Sequence, residues 1–148
     1  TNTTQLASTL PVLDLLDGDS IGGGAGPSRH KIEVQAGLSQ SGFGLRLTGE
    51  WSSATRVKGI VGTPSSQLRF DDLATLNLRI FANLTQRPKL IEALPILRGS
   101  RVQIGVDNIF NARQRVTDGN GVVPFAYQPA FMDPVGRVVR VSFRKLFF

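Results

Sequence analysis

The chain has no cysteine, which removes disulfides, thiolate metal ligands and cysteine nucleophiles together. No apolar run approaches the roughly 20 residues of a membrane-spanning helix, so a helical membrane protein is excluded. Histidine occurs once, at His30, leaving one possible base for a Ser-His-Asp arrangement. His30 opens a strand-like stretch on its apolar side, where a structural role at an interface fits better than catalysis. No enzyme and no cofactor are expected. Thr1 is preceded by no methionine and begins no charged, then apolar, leader. The expectation is a mature chain or a fragment.

What is present fits a folded protein. The 148 residues suffice for one domain, and 41% are hydrophobic, which argues against wholesale disorder. Seventeen Lys+Arg against eleven Asp+Glu give a net charge of +6. That balance raises nucleic acid, anionic lipid or an anionic ligand as partners. The arginines, however, are interleaved singly along strand-like stretches, which argues against a nucleic-acid-binding tail.

Along most of the chain the apolar residues recur with a period of two, the signature of strands with one apolar and one polar face. His30, Ile32, Val34, Ala36 and Leu38 share a face, and Ser39–Gly42 reads as a hairpin turn. Phe43, Leu45, Leu47, Gly49 and Trp51 follow, then Ala74, Leu76, Leu78, Ile80 and Ala82, then Val102, Ile104 and Val106. The last strand carries Val139, Val141, Phe143 and Phe147, with Lys145 interrupting, and the chain stops on an aromatic pair. Five strands are predicted. Pro88 and Pro95 bracket a possible short helix over Lys89–Leu94. Segments 56–66 and 111–135 read as loops, with a turn tip at Asp118–Gly121. Ile21–Pro27 is a glycine loop without the Gly-Lys-Ser/Thr of a phosphate cradle. Asp14, Asp17 and Asp19 read as a polar turn, since the distal Glu of an EF-hand is missing.

Alternation permits two folds. In a soluble sandwich the apolar face is the core; in a transmembrane barrel it meets lipid and the polar face lines the lumen. Strands of about ten residues suit a tilted membrane strand and exceed the usual soluble length of about five or six.

Val106-Asp107-Asn108-Ile109-Phe110-Asn111 resembles the "v-x-N-l-F-d/n" segment of TonB-dependent outer-membrane receptors. Gly121-Val122-Val123-Pro124, Tyr127-Gln128-Pro129, Asp133-Pro134-Val135-Gly136-Arg137 and Arg144-Lys145-Leu146-Phe147 resemble that family's later elements, in order and spacing. The resemblance covers about the last forty-five residues. It implies an all-β fold: antiparallel, up-and-down transmembrane β-barrel strands, about the last five of a 22-stranded barrel. Residues 1–29 would be an extracellular loop segment, and 30–148 the C-terminal part of the barrel, with the plug domain absent. The implied localisation is the outer membrane of a Gram-negative bacterium. Implied partners are membrane lipid and lipopolysaccharide, the rest of the barrel and its plug, the barrel-assembly machinery, and the TonB complex through a missing N-terminal region. Nucleic acid is not among them. If the family's periplasmic C-terminus holds, Arg56–Ser66 and Asn111–Val135 lie outside, and Ser39–Gly42 and Thr85–Gly99 lie in the periplasm.

The candidate residues follow from that topology. Arg46, Arg79, Arg101, Arg140 and Arg144 would face the lumen, pairing with carboxylates or guiding an anionic metal chelate. Arg56, Lys58, Arg69, Arg113 and Arg115 would gather at the outer rim and bind lipopolysaccharide phosphates. Trp51, Tyr127 and Phe148 are candidates for the aromatic girdles, and Phe147 and Phe148 for the C-terminal assembly signal. The implied function is energy-coupled uptake of a scarce large nutrient, such as a ferric siderophore or cobalamin. Its rivals are a passive porin and a soluble basic β-domain binding a polyanion. The last predicts aromatic residues on the basic face, whereas Phe43, Trp51, Phe143 and Phe147 fall on the apolar one.

Overall fold

Among the described residues of the computed structural model, ten strands and two short helices form. In chain order the strands are β1 (Thr3–Thr4), β2 (Leu13–Asp14), β3 (Lys31–Gln40), β4 (Phe43–Ser52) and β5 (Thr55–Val57). They continue as β6 (Leu68–Phe70), β7 (Leu73–Asn83), β8 (Ser100–Asp107), β9 (Val116–Asp118) and β10 (Val138–Lys145). The helices are α1 (Pro88–Ala93) and α2 (Pro129–Met132). The structure describes residues 3–6, 8, 12–19, 26–59, 62–132 and 136–147. The expectations for Ile21–Ala25, for Asp133-Pro134-Val135 and for Phe148 lie outside the described residues.

The fold is all-β and antiparallel. Its long strands form one five-stranded sheet in the order β10-β8-β7-β4-β3, so successive long strands are neighbours. Backbone register lines the apolar residues into rows: Leu78 with Val106 and Val139, Ile80 with Ile104 and Val141, Ala82 with Val102 and Phe143. The predicted period thus becomes a continuous apolar surface. The glycines of β4 carry both faces one strand further. A Cβ on Gly49 would meet Leu76 at 3.8 Å on the apolar side, while one on Gly44 would collide with the Phe81 ring on the polar side.

The turn at Ser41 and Gly42 and the longer 84–99 connector join strands at one end. Ser41 and Gly42 both take positive φ, 48° and 84°, the type I′ geometry that matches strand twist in a two-residue hairpin. After β7, the Asn83 side chain accepts the Thr85 N–H at 3.2 Å, and Pro88 starts α1 where its missing N–H costs nothing. The expected turn or two of helix is there, one residue earlier than read.

Contacts divide the chain into two compact units. One, Glu33–Glu50 with Thr75–Ala112 and Val135–Phe148, holds most of the long sheet. The other, Thr1–Ile32 with Trp51–Ala74 and Arg113–Pro134, takes in the residues expected as a separate 1–29 segment together with two connectors. Those connectors were read as loops, yet they contribute to a small sheet, β5-β6-β9. Three-residue strands are too short to display a period, so alternation could not reveal them. Val57, Phe70 and Val116 are buried there, with Leu68 and Tyr127 packed on them. Burying Phe70 fully stabilises by roughly 1.5–3 kcal/mol. Among the described residues no apolar side chain of the long sheet is buried.

Candidate functional site

The long sheet presents two chemically opposite faces, and the candidate residues distribute between them. On the apolar face Leu38, Val139, Val141 and Phe143 are 79%, 63%, 72% and 60% exposed. Among the described residues nothing covers them.

On the polar face the register sets Arg79 and Arg140 on either side of Gly105. Both guanidinium groups reach Asp107. Arg79 Nη2 lies 3.1 Å from one carboxylate oxygen, and Arg140 Nη1 donates to the other. Gly105 leaves the space for this convergence, since a Cβ there would stand 3.2 Å from Arg79 Nη1. Arg101 and Arg144 face each other directly, an unfavourable like-charge pairing. Arg101 places its guanidinium 5.0 Å from the centre of the Phe81 ring, which offsets part of that cost. Arg46 is exposed on β4. Alternation therefore puts the five arginines on one face, and pairing brings two of them onto a single carboxylate. Asp107 was not among the candidates; its place among arginines on the polar side of Val106 was the available signal.

The segment Val106–Asn111 closes β8. Asn108, at φ 53°, clasps Ala112: Nδ2 donates to the Ala112 carbonyl and Oδ1 accepts its N–H, each at 2.8 Å. Asn108 itself donates its N–H to Asn77 Oδ1 at 2.8 Å. Asn111, at φ 55°, accepts the Arg137 N–H at 3.1 Å. Asn tolerates the left-handed region because its short amide bonds locally. The residues that carry the family resemblance thus act here as a strand terminator that seats the return into β10.

At the other end of β10, Leu146 extends the ladder by donating to the Gly99 carbonyl at 3.0 Å. Phe147 is 85% exposed, with the Lys145 ammonium 5.2 Å from its ring centre. Trp51 donates from Nε1 to Asp72 at 3.1 Å, leaving its ring half-exposed. Tyr127 sits edge-on to Phe70, with centroids 5.6 Å apart, in the small core. His30 is exposed, and it engages Ser53 through its backbone.

Three of the five basic residues expected at the rim share a cleft. Arg56, Lys58 and Arg69 line a single cleft of about 980 Å³ beside the small sheet. Arg113 instead donates to the Pro129 carbonyl at 3.2 Å, and neither it nor Arg115 lines the cleft. Arg29, which the sequence did not single out, does. Its Nε and Nη2 both donate to the Leu16 carbonyl, at 3.2 and 2.9 Å, a contact across thirteen residues that no local pattern announces.

The aspartate turn borders this cleft. Asp14 accepts the Leu16 N–H at 3.1 Å, and Asp19 accepts the Asp14 N–H at 2.8 Å. Lys58 bonds Asp17 at 2.5 Å and lies 3.7 Å from Asp19. The Lys58 hydrogen bond, then its charge, holds the Asp17 carboxyl below its ordinary range. In turn the bond from Asp17 raises Lys58. The polar turn is thus tied by a cation of its own chain. Among the described residues no cluster of three or more acidic or histidine side chains is placed to hold a metal ion.

Comparison with models of protein families, with curated proteins and with solved structures gave no match.

Proposed function

We propose that this chain is the C-terminal part of the transmembrane barrel of a TonB-dependent outer-membrane receptor, serving energy-coupled uptake of a scarce large nutrient. The observation that carries the reading is the uncovered apolar face of the long sheet. In water each large apolar side chain left bare forgoes roughly 1.5–3 kcal/mol of burial, and a contiguous patch of this kind marks a surface that another phase or molecule covers. Lipid covers such a face without any second layer of protein. Strands of 8 to 11 residues suit a tilted crossing of the hydrocarbon core, which takes about 9–11 residues. The polar face, with arginines gathered on Asp107, suits a wet lumen. The motif residues Asn108, Asn111 and Arg137 add support, because each has a defined structural task where the family pattern places it. A ferric siderophore or cobalamin is the class of cargo that the resemblance suggests.

Sedimentation of the expressed chain with and without detergent tests the lipid-facing assignment. The expected result is a chain that pellets in buffer and stays dispersed in detergent micelles. Trp51, the single tryptophan, supplies a second readout in lipid. Its emission should be quenched more by bromines near the headgroup than by bromines at the acyl-chain end. A monodisperse chain in detergent-free buffer, with Trp51 insensitive to brominated lipid, would sink the reading.

A further inference from the structure

The cleft beside the small sheet has the features of a built anion site. The register of β5, β6 and β9 places Arg56 opposite Arg69, and Arg69 opposite Thr117, in one row. The other face of the same strands is the core of Val57, Phe70 and Val116, so packing on one side fixes where the arginine row points. Directly opposed like charges on adjacent strands destabilise a sheet. The offset to this pairing is small: Arg69 Nε lies 3.4 Å from Asp71 in an exposed ion pair, and among the described residues no carboxylate pairs with Arg56.

The other charges around the cleft are already committed. Lys58 is engaged by Asp17 and Asp19. Asp118 accepts the N–H groups of Asn120 and Val122, at 2.9 and 2.8 Å, to hold its own turn. Arg29 spends Nε and Nη2 on the Leu16 carbonyl, which leaves Arg56 and Arg69 as the cations with the most donors to spare. The aspartate turn forms a wall because Gly18, at φ 99°, accepts the Lys58 N–H at 2.7 Å. A side chain on Gly18 would press on the Arg56 carbonyl and on Lys58, both 3.2 Å away. Leu15 and Leu16 add apolar lining. At about 980 Å³, the cleft lies within the size range of small-molecule sites, roughly 300–1,000 Å³.

We infer that this cleft binds an anion bearing two or more carboxylate or phosphate groups, held by the Arg56–Arg69 pair with Lys58 as a positioning residue for the wall. Arginine suits the task, because its planar fork bonds two oxygens of one group at once. Such an anion arrives either free in solution or as the phosphorylated headgroup of a lipid. The inference draws on the connector unit alone, so its outcome is independent of whether the long sheet faces lipid.

Isothermal titration of the full chain in zwitterionic detergent tests it, with inorganic pyrophosphate and citrate as free anions and lipopolysaccharide micelles as the lipid source. The expected result is saturable binding that Arg56→Gln/Arg69→Gln weakens about tenfold or more, the equivalent of losing one charge-assisted hydrogen bond. Arg113→Gln/Arg115→Gln should bind as the parent does. Saturation by pyrophosphate or citrate assigns a free ligand, and saturation by lipopolysaccharide alone assigns a headgroup. The Arg56→Lys/Arg69→Lys variant keeps the charge but loses the fork, and should bind with intermediate strength while its circular dichroism stays unchanged. No saturable binding of any of the three, or equal loss in the Arg113/Arg115 control, overturns the inference.

Discussion

Gly44 shows how one missing side chain fixes the order of a sheet face. The Phe81 ring lies where its Cβ would stand, and the Arg101 guanidinium lies over that ring. Gly44→Ala should therefore cost about 1–3 kcal/mol through overpacking, measured as a lower urea midpoint of the refolded chain. Removing the ring as well should relieve most of the loss, so Gly44→Ala/Phe81→Ala is expected to fall well short of the sum of the single changes. Additive losses would show that the contact has no energetic weight. Asp107 teaches a related lesson. Its parity was legible in the alternation of Val102, Ile104 and Val106. Its role was not, because two arginines meet on it only through the pairing of three strands.

At the level of elements, legibility followed length. The long strands were readable because each repeats its pattern several times: β3 and β4 run for ten residues and β7 for eleven. Thr55–Val57, Leu68–Phe70 and Val116–Asp118 offer a single repeat each, beside glycines and prolines that signal loops. Their association depends on pairings between distant parts of the chain, such as Phe70 with Val116, and the cleft they form was hidden with them. The Asp14–Asp19 turn is also held at a distance, by Lys58. A carboxyl with a depressed folded pKa stabilises above its ordinary range and loses that contribution as pH falls through the depressed value. A lysine with a raised pKa stabilises below its ordinary range and loses it as pH rises through the raised value. The tie should thus be complete from about pH 4 to about pH 10 and be lost as pH passes the depressed value of Asp17 or the raised value of Lys58. Carboxyl titration by NMR should give Asp17 a lower midpoint in the parent than in Lys58→Met. Equal midpoints would show the turn to be untethered in solution.

For the molecule as a whole, the two faces of the long sheet should respond differently to charge. Val141 lies in the middle apolar row and Ser142, its neighbour, pairs with Gln103 on the polar side. In a bilayer, Val141→Lys should destabilise by about 2–4 kcal/mol, whereas Ser142→Lys should change stability far less. Denaturant titration in lipid vesicles measures both, and comparable losses at the two positions would remove the basis for assigning a lipid face.

Strand count carries a further consequence. Five antiparallel strands in unbroken succession leave β3 and β10 at opposite edges, running in the same direction. The parity is odd, so the sheet cannot close on itself by antiparallel pairing, however strongly it curls. Any closed and wholly antiparallel ring containing it must take an odd number of strands from elsewhere, or join two copies to make ten. Among the described residues neither edge has a partner strand on its outer side, and a bare sheet edge is a template for pairing with another strand. The sheet is thus an odd-numbered arc, and its completion is a matter of arithmetic before it is one of affinity.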